Sequence, residues 1–190
     1  MSGYKAIKET MQREFKEVPQ AYKDRLAQWH AEPTVIRVIR PTNLVRAREL
    51  GYKAKQGILL ARVRVRSGKS KRARPGGGRK PSKSGRYFSR VSSMQSIAEG
   101  RAAQKFSNCE ILNSYFVGTN GYEKFYEVIL LDKSSPVLLA DRNYSGVIMQ
   151  KQRASRGLTV SGRRHRGMMN KGFGTGKTRP SKRAVERSAA

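Results

Sequence analysis

Acidic residues are missing from two long windows of this 190-residue chain. None lies between Glu49 and Glu99, and none between Asp141 and Glu186. The first window holds 14 lysines and arginines, the second 12. Elsewhere 15 basic residues face 13 acids, the balance of an ordinary soluble domain. The net charge of +28 therefore sits in two cationic appendages on a near-neutral fold. Such density repels itself unless a polyanion neutralises it.

Other scarcities narrow the polyanion and the chemistry. A single cysteine, Cys109, excludes a disulfide within the chain and fits a reducing compartment. It precedes an apolar strand pattern, as a small buried thiol does. With only His30 and His165 beside it, the chain cannot close a structural zinc site. No apolar run is long enough to span a bilayer, and no secretory signal is read at the start. The stretch SGKSKRARPGGGRKPSKSGR within the first acid-free window has Ala73 as its only aliphatic side chain. A membrane-surface helix needs a bulky apolar face, which this stretch lacks. Nucleic acid is the polyanion that remains.

One motif points toward an enzyme. The C-terminal stretch NKGFGTGKTRPSKR contains GTGKT, but a phosphate-binding loop requires G-x-x-x-x-G-K-[ST]. Counting back five residues from Gly176 reaches Lys171, while the nearby glycines are Gly172 and Gly174. No apolar strand precedes it, and Pro180 follows Thr178 too closely for a helix. The match is a decoy, and neither a catalytic residue nor a cofactor nor a small-molecule substrate is expected.

Apolar residues at Tyr4, Ile7, Met11, Phe15 and Val18 carry helical spacing, and a second helix from Pro19 runs through Tyr22, Leu26 and Trp29. Trp29 reads as a packing residue. VIRVIR (35–40) reads as a strand closed by Pro41, and Thr42 as the cap of a short helix ended by Gly51. In ILLARVRVRSG, Arg62, Arg64 and Arg66 alternate with Ala61, Val63 and Val65, which places the guanidiniums on one face. A helix carrying Met94, Ile97, Ala98, Ala102 and Phe106 follows, with Gly100 inside it at a cost of roughly 1 kcal/mol relative to alanine. Asn120-Gly121 then marks a hairpin between two β-rich runs. A two-residue loop there sets Phe116 opposite Phe125 and Tyr115 opposite Tyr126, the phenylalanines as core and the tyrosines open to either core or base stacking.

From Val35 the order is strand, helix, strand, helix, hairpin, which makes an α+β domain with a four-stranded sheet at 34–150. A helical extension precedes it at 1–33, a long basic loop interrupts it at 67–90, and an extended basic tail follows at 151–190. The loop and tail are expected to order only against their partner. The row of Arg62, Arg64 and Arg66 runs straight into the loop, as one phosphate-binding track. In the loop that track would continue through Lys69, Lys71, Arg72, Arg74, Arg79, Lys80, Lys83, Arg86 and Arg90. In the tail, His165, Lys171, Lys177 and Arg179 are further contacts.

GYKAKQG (51–57), followed by the arginine-alternating strand, resembles the archaeal and eukaryotic large-subunit ribosomal protein family designated fifteen-e. The resemblance recurs in IAEGRA, LNSYFVG, FYEVILLD and RGLTVSGRRHRG, and KTRPS is similar to the archaeal branch. It runs from the GYKAI opening to the tail. At Gly100 the family more often has a second acid. The resemblance implies a mainly antiparallel sheet with packed helices, and a structural role on large-subunit ribosomal RNA among neighbouring ribosomal proteins. It implies RNA contacts for Lys53 and Lys55, for Arg62, Arg64 and Arg66, and for Arg156, Arg163, Arg164 and Arg166. Each would release condensed counterions, and arginine can add a bidentate contact. Glycines in GYKAKQG and SGRRHRG are read as letting backbone approach the RNA. A DNA-compacting architectural protein is the alternative, since unspecific phosphate binding uses the same side chains.

Overall fold

β6, the strand Glu123–Asp132, is buried at nearly every residue, because it runs through the middle of a sheet covered on both faces. The computed structural model describes residues 3–169 other than 72, 74, 75, 86 and 91, and for 70, 71 and 83 the backbone alone. The chain opens with α1 (Gly3–Glu17) and α2 (Gln20–Ala31), then β1 (Val35–Val38), α3 (Leu44–Glu49) and β2 (Ile58–Arg66). A small ribbon of β3 (Ser70–Lys71) and β4 (Tyr87–Phe88) lies in the basic loop. Then come α4 (Met94–Lys105), β5 (Cys109–Thr119) and β6. Four short helices end the described chain: α5 (Pro136–Leu139), α6 (Arg142–Ile148), α7 (Arg153–Arg156) and α8 (Val160–His165).

The main sheet has the order β1-β2-β6-β5, antiparallel throughout. On one face α4 sets Ala98 and Ala102 against Ala61, Val63, Val65, Val128 and Leu130, and small residues let the helix lie close. Gly100 points into open space there. On the other face α2 sets Tyr22, Leu26 and Trp29 among Leu60, Val117, Phe125 and Ile129. The expected α+β architecture and the N-terminal helical pair are thus present. A salt bridge of 2.5 Å from Arg25 to Glu14 joins the two helices across the turn at Val18 and Pro19.

Several local expectations need correction. The hairpin turn centres on Gly121-Tyr122, with Gly121 at φ +86° and Asn120 Oδ1 accepting from Glu123 N at 2.8 Å. An irregularity between Phe116 and Gly118 then takes back one residue of that shift. Phe116 therefore faces Tyr126, Tyr115 faces Glu127, and Phe125 faces Gly118. Both tyrosines are core, which removes them as base-stacking platforms, and Phe116 is 41% exposed against α1. The cap of α3 is Asn43, whose side chain accepts from Arg46 N at 2.9 Å. Thr42 is occupied instead by Glu127. The first strand ends at Val38, leaving Ile39 exposed. The segment read as an extended tail begins with two helices, α7 and α8, packed against α4.

Candidate nucleic-acid interface

The alternation in β2 appears as expected: Ala61, Val63 and Val65 are buried beneath α4, while Arg62, Arg64 and Arg66 share the opposite face. That face is not open along its length, because α2 crosses it. Arg62 pairs with Glu32 at 2.5 Å and lies over the Trp29 ring. Arg64 donates to the His30 carbonyl and sits 3.5 Å from Glu123. Of the three, Arg66 alone is exposed.

Beyond the end of α2, the strand terminus opens into a cleft of about 530 Å³ lined by His30, Thr34, Arg64, Arg66, Arg101 and Glu123. Backbone carbonyls orient the guanidiniums around it. Arg101 reaches from α4 to donate to Arg64 O at 2.7 Å. Arg90, at the far end of the basic loop, donates to Arg66 O and Gly68 O, each at 2.7 Å. The loop is thereby closed at its base, with Lys69, Arg79 and Lys80 exposed along it. His30 Nδ1 lies 2.7 Å from Glu123 Oε2, so the carboxylate at the cleft floor is already partnered.

Within GYKAKQG, Lys55 and Gly57 contact the protein itself. Lys55 pairs with Asp141 at 2.9 Å, and that hydrogen bond holds the Asp141 carboxyl below its ordinary range. Lys53 is exposed, its ammonium 5.9 Å from the Tyr144 ring centroid. Gly57 has φ +88°, and a Cβ there would lie 2.6 Å from Ser135 Oγ. The close approach expected toward RNA is in this case an approach to the α5 segment.

The second cationic region is carried by α7 and α8. Gly162 and Gly157 touch directly: a Cβ on Gly162 would lie 2.7 Å from Gly157 Cα. Thr159 caps α8, accepting from Gly162 N at 3.2 Å. Arg166 folds back to donate to Arg156 O at 2.7 Å, while Arg156, Arg163, Arg164 and His165 stay exposed. Of the other expected contacts, Arg72, Arg74, Arg86, Lys171, Lys177 and Arg179 lie outside the described residues, as do the GTGKT motif and the side chains of Lys71 and Lys83.

Acids hold these cationic elements from inside. Glu99, fully buried on α4, accepts from Ser114 Oγ (2.5 Å), Thr159 Oγ1 (2.6 Å) and Ser161 Oγ (2.7 Å), which clamps α8 to the core. Glu110 accepts from the backbone N–H groups of Gln152 and Arg153 and pairs with Lys133 at 3.0 Å. Arg153 in turn donates to Ile111 O at 2.5 Å, and burial lowers its pKa. Glu127 receives Thr42 N, Thr42 Oγ1 and Tyr115 Oη. Sequence reasoning missed this set and missed Arg101, because a buried carboxylate looks like a surface one until its partners are placed. The one local sign is that Glu99 shares a helical face with Ala102 and Ala103.

Among the described residues there is no helix long and apolar enough to cross a membrane and no cluster of three or more metal-ligating side chains. The two surfaces are cationic, one at the end of β2 and the basic loop, the other on α7 and α8. The chain is 47% identical to the large ribosomal subunit protein eL15 of Methanocella arvoryzae over 173 residues, 90% of this chain and 88% of the relative. It is 48% identical over 159 residues to the protein of the same name from Methanocorpusculum labreanum, covering 83% and 82%. The sequence profile of the L15e family, described as Ribosomal L15, matches residues 2–185. With nearly the whole length matched, this chain belongs to the ribosomal L15e family.

Proposed function

We propose that the protein is a structural constituent of the large ribosomal subunit, where it binds folded ribosomal RNA by neutralising phosphates and packs beside other ribosomal proteins. The reading places it in the cytoplasm, within the ribosome, with no reaction to catalyse. One observation carries it. Glu99, Glu110, Glu123 and Glu127 are turned inward, while Arg66, Lys69, Arg79, Lys80, Arg163 and Arg164 are exposed with no carboxylate partner among the described residues. The surface is thus more cationic than composition implies, and Arg163 and Arg164 stand on a helix held by buried bonds. The names of the relatives support the ribosome as the setting. Nothing in the family or in those names points toward DNA compaction.

The test is sedimentation of a lysate containing the tagged chain at moderate salt. The protein should travel with large subunits, leave them only at high salt, and remain with the RNA after nuclease-free extraction of loosely held proteins. Sedimentation as a free protein, or with chromosomal DNA, would overturn the reading.

A further inference from the structure

The cleft at the end of β2 has an uneven ledger of charge. Glu123 and Arg64 compensate one another at 3.5 Å, and His30 adds its ring to the same carboxylate. Arg66 and Arg101 line the cleft with them, Arg90 is bonded to Arg66 O next to it, and no carboxylate lies within ion-pair distance of any of the three among the described residues. Two of these guanidiniums are fixed by backbone carbonyls, Arg101 on Arg64 O and Arg90 on Arg66 O and Gly68 O. A carbonyl orients a guanidinium without cancelling its charge. Each guanidinium has five donors, so donors remain after these bonds are made. The result is a preorganised set of forks around an open cavity, and such forks match phosphate oxygens in pairs.

We infer that this cleft is a phosphodiester-binding site, in which Arg66 and Arg101 grip consecutive or apposed phosphates of an RNA strand and Arg90 holds the basic loop against the same strand. The inference rests on the RNA-binding reading above and gives it an address. It also separates the arginine row: Arg62 and Arg64 organise the sheet and α2, while Arg66 faces the ligand. The occupant is a polynucleotide rather than an isolated anion for a reason of layout. The cleft is open, and Arg66 and Arg90 are the two ends of the loop that exposes Lys69, Arg79 and Lys80, so the positive field continues past the cavity. A single small anion would leave that field unmatched.

The test uses the full chain and in vitro transcribed archaeal large-subunit ribosomal RNA, with affinity measured across a salt series. Arg66→Gln and Arg101→Gln should each flatten the logarithmic salt dependence by about 0.7 to 0.9 for one lost phosphate contact, and together by about twice that. Lys23→Gln, an exposed cation on α2 outside both cationic regions, should leave the slope unchanged. Arg101 also bonds a carbonyl, so Arg66→Gln, which removes only an exposed side chain, decides the matter if the Arg101 variant is unfolded by circular dichroism. A second arm titrates inorganic phosphate and follows the Arg101 Nε–H resonance, which should move with RNA and return as salt displaces it. Steep wild-type binding with unchanged slopes in the variants would overturn the cleft and leave the RNA-binding reading standing. An equal loss in Lys23→Gln would overturn it by showing a diffuse charge effect. Saturable inorganic phosphate binding that RNA cannot displace would overturn the polynucleotide as occupant. Absence of any RNA binding by the wild type would remove both.

Discussion

Arg62 lies over the indole of Trp29, its guanidinium carbon 4.4 Å from the ring centroid, and the ring of Phe125 packs on the same indole, tilted by 59° at 5.5 Å between centroids. The same guanidinium pairs with Glu32 just past the end of α2. A side chain that composition assigns to a polyanion thus closes the interface between α2 and the sheet.

Replacing Arg62 by alanine should therefore act on the fold. Loss of a desolvated cation–π contact and of a partly buried ion pair should cost about 2 kcal/mol or more. Trp29 is the only tryptophan, so a red shift in its emission reports the opening directly. The denaturation midpoint should fall with it, while the salt slope of RNA binding stays as in the wild type. An unshifted spectrum with unchanged stability would show that Trp29 does not need its lid.

Gly118 is the point where α2 comes closest to β5. A Cβ there would lie 2.9 Å from both Leu26 Cδ2 and Tyr22 Oη, and 3.6 Å from the Trp29 ring. Gly118→Ala should cost about 1–3 kcal/mol through overpacking. Gly100→Ala is the contrasting case, since nothing lies within reach and helix propensity favours alanine by about 1 kcal/mol. Chemical denaturation of the two variants should give opposite signs.

Glu99 clamps the second cationic region without a cation of its own. Glu99→Ala would take away the acceptor of the Ser114, Thr159 and Ser161 hydroxyls; Ser114 and Thr159 keep the bonds they accept, and Ser161 is left unsatisfied at about 1–3 kcal/mol. Amide exchange should then rise selectively through Val160–His165, with the main sheet still protected. Glu99→Gln keeps an acceptor oxygen and should lose less. Uniform exchange across the whole chain in the alanine variant would argue against a local clamp.

Cys109 gives a dependence on pH. Burial, with help from the nearby Asp132 carboxylate, pushes its thiol up to about 11 from an ordinary value of 9.0. The raised group is an acid, so the folded state holds its proton longer than the unfolded state does. Below about pH 9 both states are protonated and the thiol contributes no pH dependence. Between the two values the unfolded chain ionises first, and the thiol's effect is to destabilise the fold by about 1.4 kcal/mol at roughly pH 10. The stability difference between wild type and Cys109→Ala, measured near neutrality and again near that pH, should shift by this amount against the wild type. A constant difference would contradict the burial.

Charge segregation, the alternation in β2 and the helical spacing of α1, α2 and α4 were all legible in the chain, because each depends on neighbours within a few residues. From them follow the α+β order and the face on which the three arginines stand, and on them rests the proposal of a polyanionic partner. What they could not decide is which cations are spent inside the protein. Arg62 meets Glu32 from 30 residues away, Ser161 meets Glu99 from 62, and His30 meets Glu123 from 93. Those separations carry no local pattern, and only the packing of α2, α4 and α8 on the sheet brings the partners together. The hairpin register was hidden for the same reason: an irregularity between Phe116 and Gly118 pairs Tyr115 with Glu127, and at Gly118 the missing Cβ leaves room for Leu26 and Tyr22 of α2. The sequence by itself determined that the charge is segregated and that the three arginines share one face of β2; the tertiary structure decided that Arg66 is exposed while Arg62 and Arg64 hold the fold, because an ion pair formed inside removes its cation from the surface.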